Sequence, residues 1–136
     1  EIAQDVPVVF PAHPRAVARL KEYGLEPAAV RVIDPLPYFT MLSVMNQAAV
    51  VLTDSGGIQE ETTVLGVPCL TLRPNTERPI TIAEGTNRLV ADRSRESILA
   101  AYAEAVEEPK RPSRPEGWDG RAALRIVDAL EAWATS

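Results

Sequence analysis

Ala49-Val50-Val51-Leu52-Thr53-Asp54-Ser55-Gly56-Gly57-Ile58-Gln59-Glu60-Glu61-Thr62-Thr63-Val64-Leu65-Gly66-Val67-Pro68-Cys69-Leu70-Thr71-Leu72 is the stretch on which the fold turns. Ala49 to Thr53 is a short, largely β-branched apolar run, the pattern of a strand buried on both faces. Asp54-Ser55-Gly56-Gly57 then leads into a helix expected from Ile58 to about Leu65, ended by Gly66. Pro68 to Leu72 returns as a strand. A strand, a short helix and another strand in close succession imply a parallel pair joined by a right-handed crossover.

The same alternation extends in both directions. Upstream, Val6 to Phe10 is short, apolar and β-branched and ends at Pro11, so it reads as a buried strand, and a helix should span Pro14 to Tyr23, with Pro14 in its first turn and Gly24 past its end. Val30 to Ile33 is the next strand, closed by Asp34-Pro35-Leu36-Pro37. Tyr38, Met41, Leu42 and Met45 then recur at helical spacing. Downstream, a polar, proline-containing loop covers Arg73 to Pro79, a further strand is expected over Thr86 to Ala91, and Ser94 is placed to cap a helix running to Glu107. Pro109 to Gly117 is an irregular connector. A final helix from Gly120 to Trp133 carries Ala123, Ile126, Val127, Leu130 and Ala134 on one face. The class is α/β, a Rossmann-like three-layer domain with a parallel sheet, in which ligands bind beyond the carboxyl ends of the strands.

Composition narrows the function. A chain of 136 residues suffices for one domain that buries roughly two-thirds of its unfolded surface. Its 46% hydrophobic and 24% charged content is that of a globular protein. With 14 basic against 19 acidic residues the net charge is −5, and no Lys/Arg cluster offers a nucleic acid its phosphate contacts. No apolar run approaches membrane-spanning length, and no signal peptide is recognisable. The single cysteine, Cys69, sits in an apolar run, reads as core, and suits a reducing compartment such as the cytoplasm. The chain opens at Glu1, without an initiator methionine, and reads as part of a longer protein.

The candidate chemistry lies at the strand ends. Two glycines after a buried strand let the backbone bend and approach a ligand, while the following helix presents unpaired N–H groups and partial positive charge, a setting suited to phosphate. Ser55 either adds a hydroxyl to the same oxygens or, like Asp54, caps the helix. The stretch has neither the G-x-G-x-x-G spacing of dinucleotide sites nor a Walker ending. Glu60 and Glu61, expected in the first helical turn, either complement the helix dipole or accept ribose hydroxyls, with Glu61 the candidate for the second role. His13, the only histidine, either caps the helix at Pro14 or contacts phosphate and serves in catalysis. No second histidine or cysteine is spaced to share a metal ion. Arg73 and Arg78, after the Pro68 to Leu72 strand, either grip phosphate or pair with Glu77 on the surface.

These residues together resemble the carboxyl-terminal half of a non-hydrolysing UDP-N-acetylglucosamine 2-epimerase. The resemblance runs from Pro11-Ala12-His13 through Asp34-Pro35-Leu36, Leu52 to Glu61, Gly66 to Pro68, Leu72-Arg73, Thr76-Glu77-Arg78-Pro79 and Gly85-Thr86 to Asp119-Gly120. The L-T-D-S-G-G-x-Q-E-E string with T-E-R-P at this spacing is its most specific part. Departures from the family pattern are His13-Pro14-Arg15-Ala16 for H-x-N-P, Arg73-Pro74-Asn75-Thr76-Glu77-Arg78-Pro79-Ile80 for R-D-T-T-E-R-P-E, Gly117-Trp118-Asp119-Gly120 for Y-G-D-G, and Arg31 near a histidine of allosterically regulated members.

The resemblance implies a GT-B-type architecture of two Rossmann-like domains, of which residues 1–108 form the UDP-binding second half and 109–136 a connector and helix that pack toward an absent amino-terminal domain. It also implies that Ser55, Gly56 and Gly57 hold the diphosphate, Glu61 the ribose, and Arg78 and His13 the phosphates or the reacting region, His13 being the catalytic candidate. Asp34 to Met41 would lie near the uracil. The implied reaction interconverts UDP-GlcNAc and UDP-ManNAc by inversion at C2, needs no redox cofactor, and belongs to polysaccharide biosynthesis in a cytoplasmic homodimer. The acid and base at C2 would come largely from the absent domain, so the chain by itself is expected to be inactive. A GT-B-like glycosyltransferase, a hydrolysing 2-epimerase and a non-catalytic nucleotide-sugar module are the competing readings, and the T-D-S-G-G-x-Q-E-E string favours the epimerase over transferases.

Overall fold

A computed structural model describes residues 1–109 and 114–135. The chain divides into two compact units, Glu1–Val44 and Met45–Ser136. In the first, α1 (Ile2–Asp5) precedes β1 (Val8–Pro11), α2 (Pro14–Glu22), β2 (Val30–Ile33) and α3 (Tyr38–Asn46), whose last residues belong to the second unit. β1 and β2 pair in parallel, from Val8 opposite Val30 to Pro11 opposite Ile33. The short helix α1 has no counterpart in the sequence reading, which placed only polar residues before the first strand.

The second unit contains β3 (Val51–Thr53), α4 (Gly56–Leu65), β4 (Cys69–Thr71), α5 (Pro79–Ala83), β5 (Asn87–Leu89), α6 (Arg95–Glu107) and α7 (Ala122–Ala134). Its sheet is parallel throughout, in the order β3-β4-β5. The α/β class and the parallel pairing expected from the alternating pattern are therefore present, with the strands distributed over two sheets. β4 lies between two partners and every residue of it is buried, as a continuous apolar run demands. Leu70, Val90 and Ala105 form the centre of the core, against which Val50, Leu72, Ile98, Ala101 and Tyr102 pack.

Local chemistry explains the helix ends. Ser94 accepts the Ser97 N–H and starts α6 at Arg95, where the sequence placed it. Gly66 ends α4 with φ 74°, a left-handed conformation open to glycine at no steric penalty, and donates its N–H to the carbonyls of Thr62 and Thr63. Pro79 opens α5 between the loop expected to end there and the strand expected from Thr86, over residues to which the sequence assigned no element. Five residues are too few to display a helical period, so α5 escaped notice. Part of the Pro109 to Gly117 connector lies outside the described residues. Along α7 the apolar side chains Leu124, Ile126, Val127, Leu130 and Trp133 are exposed.

Candidate functional site

Because β3 and β4 run parallel, the segments that follow them leave the same edge of the sheet. After β3, the Thr53 hydroxyl accepts the Ser55 N–H at 3.0 Å and turns the chain. Ser55 is the N-cap of α4 by backbone conformation, yet its side chain makes no capping hydrogen bond. Of the two roles open to this hydroxyl, capping is the one the structure does not show. By position, the N–H groups of Gly56, Gly57 and Ile58 have no acceptor within the helix.

The two glycines do not form a bend ahead of the helix, as their sequence suggested. They are its first two residues, and neither has a positive φ. Nor does packing require them, since a Cβ on Gly56 would meet nothing within 4 Å and one on Gly57 only the Ser55 hydroxyl at 4.0 Å. Glycine weakens a helix by up to about 1 kcal/mol relative to alanine. What these positions retain in exchange is open space over unpaired N–H groups.

The earlier helix start also moves the glutamates. No acidic residue falls in the first turn of α4, so Glu60 and Glu61 lie in the second turn, beyond the reach of the terminal dipole. Glu60 points to the loop after β4, its Oε1 being 2.9 Å from Nε of Arg78. That nitrogen is shielded from solvent and lacks a well-aligned hydrogen-bond acceptor despite the short separation. The pair is about 40% exposed on each side, so its charges hold each other weakly. Glu61, half-buried, is left with an uncommitted carboxylate.

The two arginines separate. Arg73 takes the surface pair with Glu77, at 3.1 Å, whereas Arg78 reaches back over α4 and donates from Nη1 to the Glu77 carbonyl at 3.2 Å. A buried polar lattice underlies this arrangement. Gln59, fully buried on the inner face of α4, donates from Nε2 to the Ser55 carbonyl at 3.2 Å. Its Oε1 accepts the Thr76 hydroxyl at 2.6 Å and Asn87 Nδ2 at 3.2 Å. Asn87 also donates to the Thr81 hydroxyl at 3.0 Å and accepts that of Thr71 at 2.7 Å. The sequence reading named none of these as functional. The one signal was polar residues at helical spacing, Gln59, Thr62 and Thr63, on a face that otherwise should be apolar.

Cys69 is fully buried, and desolvation pushes its thiol up against the opposing hydrogen bonds from Thr62 and Thr71. It is core, as expected, and unreactive at neutral pH.

The remaining candidates belong to the first unit. His13 is the N-cap of α2, and its Nδ1 accepts the Arg15 N–H at 3.2 Å. The capping role open to this ring is therefore filled, and in the neutral tautomer Nε2 carries the proton and faces outward as a donor. Asp34 follows β2, and Tyr38 and Phe39 stand exposed at the start of α3 with ring centroids 5.4 Å apart, edge to face.

Comparison with known proteins bears on this arrangement. The family model described as UDP-N-acetylglucosamine 2-epimerase matches residues 1–131. The UDP-N-acetylglucosamine 2-epimerase of Methanocaldococcus jannaschii is 39% identical over 131 residues, covering 93% of this chain and 35% of the relative. That of Escherichia coli K12 is 38% identical over 136 residues, covering 94% and 36%. Among solved structures, the Methanocaldococcus jannaschii UDP-GlcNAc 2-epimerase in complex with UDP-GlcNAc and UDP superposes with a TM-score of 0.76 at 37% identity, over 93% of this chain and 36% of that one. The Neisseria meningitidis UDP-GlcNAc 2-epimerase bound to UDP-GlcNAc gives 0.72 at 28% identity, over 96% and 38%. The chain thus spans about a third of the length of these relatives.

Proposed function

The chain belongs to the UDP-N-acetylglucosamine 2-epimerase family, and from that premise we propose that it supplies the UDP site of an enzyme interconverting UDP-GlcNAc and UDP-ManNAc. The observation that carries the reading is Gly56, a helix residue whose missing side chain serves neither backbone conformation nor internal packing. A diphosphate seated there would receive the free N–H groups of Gly56 and Gly57 and the uncommitted Ser55 hydroxyl. Arg78 would add its guanidinium, held meanwhile by Glu60. Glu61 would accept the two ribose hydroxyls. By the resemblance alone, His13 is the candidate for a phosphate or the reacting region and Asp34 to Met41 the candidate for the uracil.

In the proposed reaction a base removes the C2 proton, the C2–H electron pair forms the C1–C2 double bond of a glycal, and the bond from C1 to the diphosphate oxygen breaks. UDP then adds back at C1 while C2 is reprotonated on its other face. Negative charge grows on the leaving diphosphate, so donors fixed in advance at Ser55, Gly56 and Gly57 act where charge develops. By the resemblance, the C2 acid and base would come largely from the other half of a GT-B-type pair. The exposed apolar face of α7 supports a contact of residues 109–136 with that remainder. A homodimer is what the resemblance implies, and the buried thiol of Cys69 suits a reducing compartment such as the cytoplasm. No helix among the described residues is long and apolar enough to cross a membrane.

The test is to incubate the intact protein with UDP-GlcNAc in heavy water. Deuterium at C2 of both epimers is the expected result. Release of free sugar and UDP would assign a hydrolase instead, and an unlabelled, unchanged substrate would overturn the epimerase reading.

A further inference from the structure

We propose that Gln59 is a positioning residue, whose carboxamide sets the Arg78 guanidinium against the N-terminus of α4 so that a diphosphate is held from two sides. The inference rests on the UDP reading above and assigns a role to a residue which that reading leaves unused.

The geometry converges on one atom. The Arg78 N–H donates to the Thr76 hydroxyl at 2.9 Å, and that hydroxyl donates to Gln59 Oε1 at 2.6 Å. On the other side of the same residue, the Arg78 carbonyl accepts the Thr81 hydroxyl at 2.7 Å and the Thr81 N–H at 3.0 Å. The Thr81 hydroxyl in turn accepts Asn87 Nδ2, which also donates to Gln59 Oε1. Both peptide groups flanking the Arg78 Cα are therefore referred to Gln59 Oε1, one through Thr76 and the other through Thr81 and Asn87. The opposite end of the carboxamide donates to the Ser55 carbonyl, in the same peptide group as the Gly56 N–H that begins the run of unpaired N–H groups.

A carboxamide has a donor end and an acceptor end, and here each meets a different strand-end segment. An apolar side chain of similar volume would fill the space without relating the two segments. Gln59 is 0% exposed, so water does not replace a lost partner, and each remaining group carries its full desolvation penalty. From Arg78 N–H to Ser55 carbonyl the bonds run donor to acceptor in one sense, an arrangement in which each bond polarises the next.

The experiment is a double-mutant cycle on the intact protein with UDP as the titrant. Gln59→Met removes both ends of the link at nearly constant volume. Thr76→Val cuts it from the loop side and serves if Gln59→Met does not fold. Each is combined with Arg78→Ala, and thermal unfolding is followed in parallel. With Arg78 present, either variant should weaken UDP binding about tenfold; in the Arg78→Ala background the same change should matter less than about twofold. Loss of thermal stability should be alike in both backgrounds, because only the binding effect passes through Arg78. Equal losses of affinity in the two backgrounds would reduce Gln59 to structural support and overturn the proposal while leaving the UDP site standing. A parent protein that does not bind UDP would overturn the UDP reading, and this inference with it.

Discussion

Gly56 is the first residue of α4 and Gly85 packs against the second half of the same helix, and they are glycines for opposite reasons. A Cβ on Gly85 would lie 2.4 Å from the Thr63 hydroxyl oxygen and 2.5 Å from the Thr81 carbonyl oxygen, so helix and loop close on it and leave no room. A Cβ on Gly56 would enter open space. At Gly85 the protein itself occupies the missing side chain's volume; at Gly56 the volume stays open. Two identical residues in one supersecondary unit thus separate a position that the fold fills from one that it leaves open.

The largest effect that would test this contrast is on stability. Gly85→Ala should destabilise the intact protein by about 3 kcal/mol in urea unfolding, and parent-like stability would remove one side of the comparison. Next is Glu61→Ala, expected to weaken UDP binding roughly thirtyfold by removing a charged acceptor of two hydroxyls, whereas Ser55→Ala should mainly lower turnover. Unchanged affinity and rate in both variants would end the assignment of this face to a nucleotide. Gly56→Ala should leave stability equal or raised by up to about 1 kcal/mol while UDP binding falls about tenfold; a loss of stability instead would place Gly56 in the same class as Gly85. The mildest of these changes, Glu60→Gln, releases Arg78 from a half-exposed pair and should tighten UDP binding about threefold.

A third segment is held by charge rather than by packing or by vacancy. Asp119 accepts a fork from Arg125 at 3.0–3.1 Å and the Arg121 N–H at 2.9 Å, while Arg125 also donates to the Gly117 carbonyl at 2.7 Å. The Arg125 hydrogen bonds, with the Arg121 N–H second, hold the Asp119 carboxyl below its ordinary range. Such a group stabilises the folded state above its unfolded pKa and loses that contribution as pH falls through the lower folded value. The turn before α7 should therefore loosen on acidification below the ordinary carboxylate range, read by amide exchange at residues 117–125. Asp119→Asn should flatten that dependence, and an unaltered profile would show that charge does not hold the turn.

Much of this was legible in the amino-acid order. Runs such as Val30 to Ile33 and Ala49 to Thr53 announce parallel strands because β-branched residues pack on a pleated surface, but the burial expected of such runs is not met, since Val9, Phe10 and Leu52 stand exposed in outer strands and only β4, between two partners, is buried throughout. That Ser55-Gly56-Gly57 leads from a strand into a helix was equally legible, because the signal resides in adjacent residues. The start of α4 at Gly56 was not legible, since glycine argues locally against helix and only the Thr53 hydroxyl, folded back on Ser55, settles the turn. Nor was the choice between Arg73 and Arg78, either of which could pair with Glu77 until α4 brought Glu60 across to Arg78.

Periodicity and neighbouring-residue chemistry, being local, established the α/β alternation, the strand-end glycines and the family. The partners of Gln59 lie 17 and 28 residues away in sequence, and they meet only because β4 and β5 lie side by side beneath α4. A hydrogen bond depends on tenths of an ångström and on direction, and those are settled when the layers close.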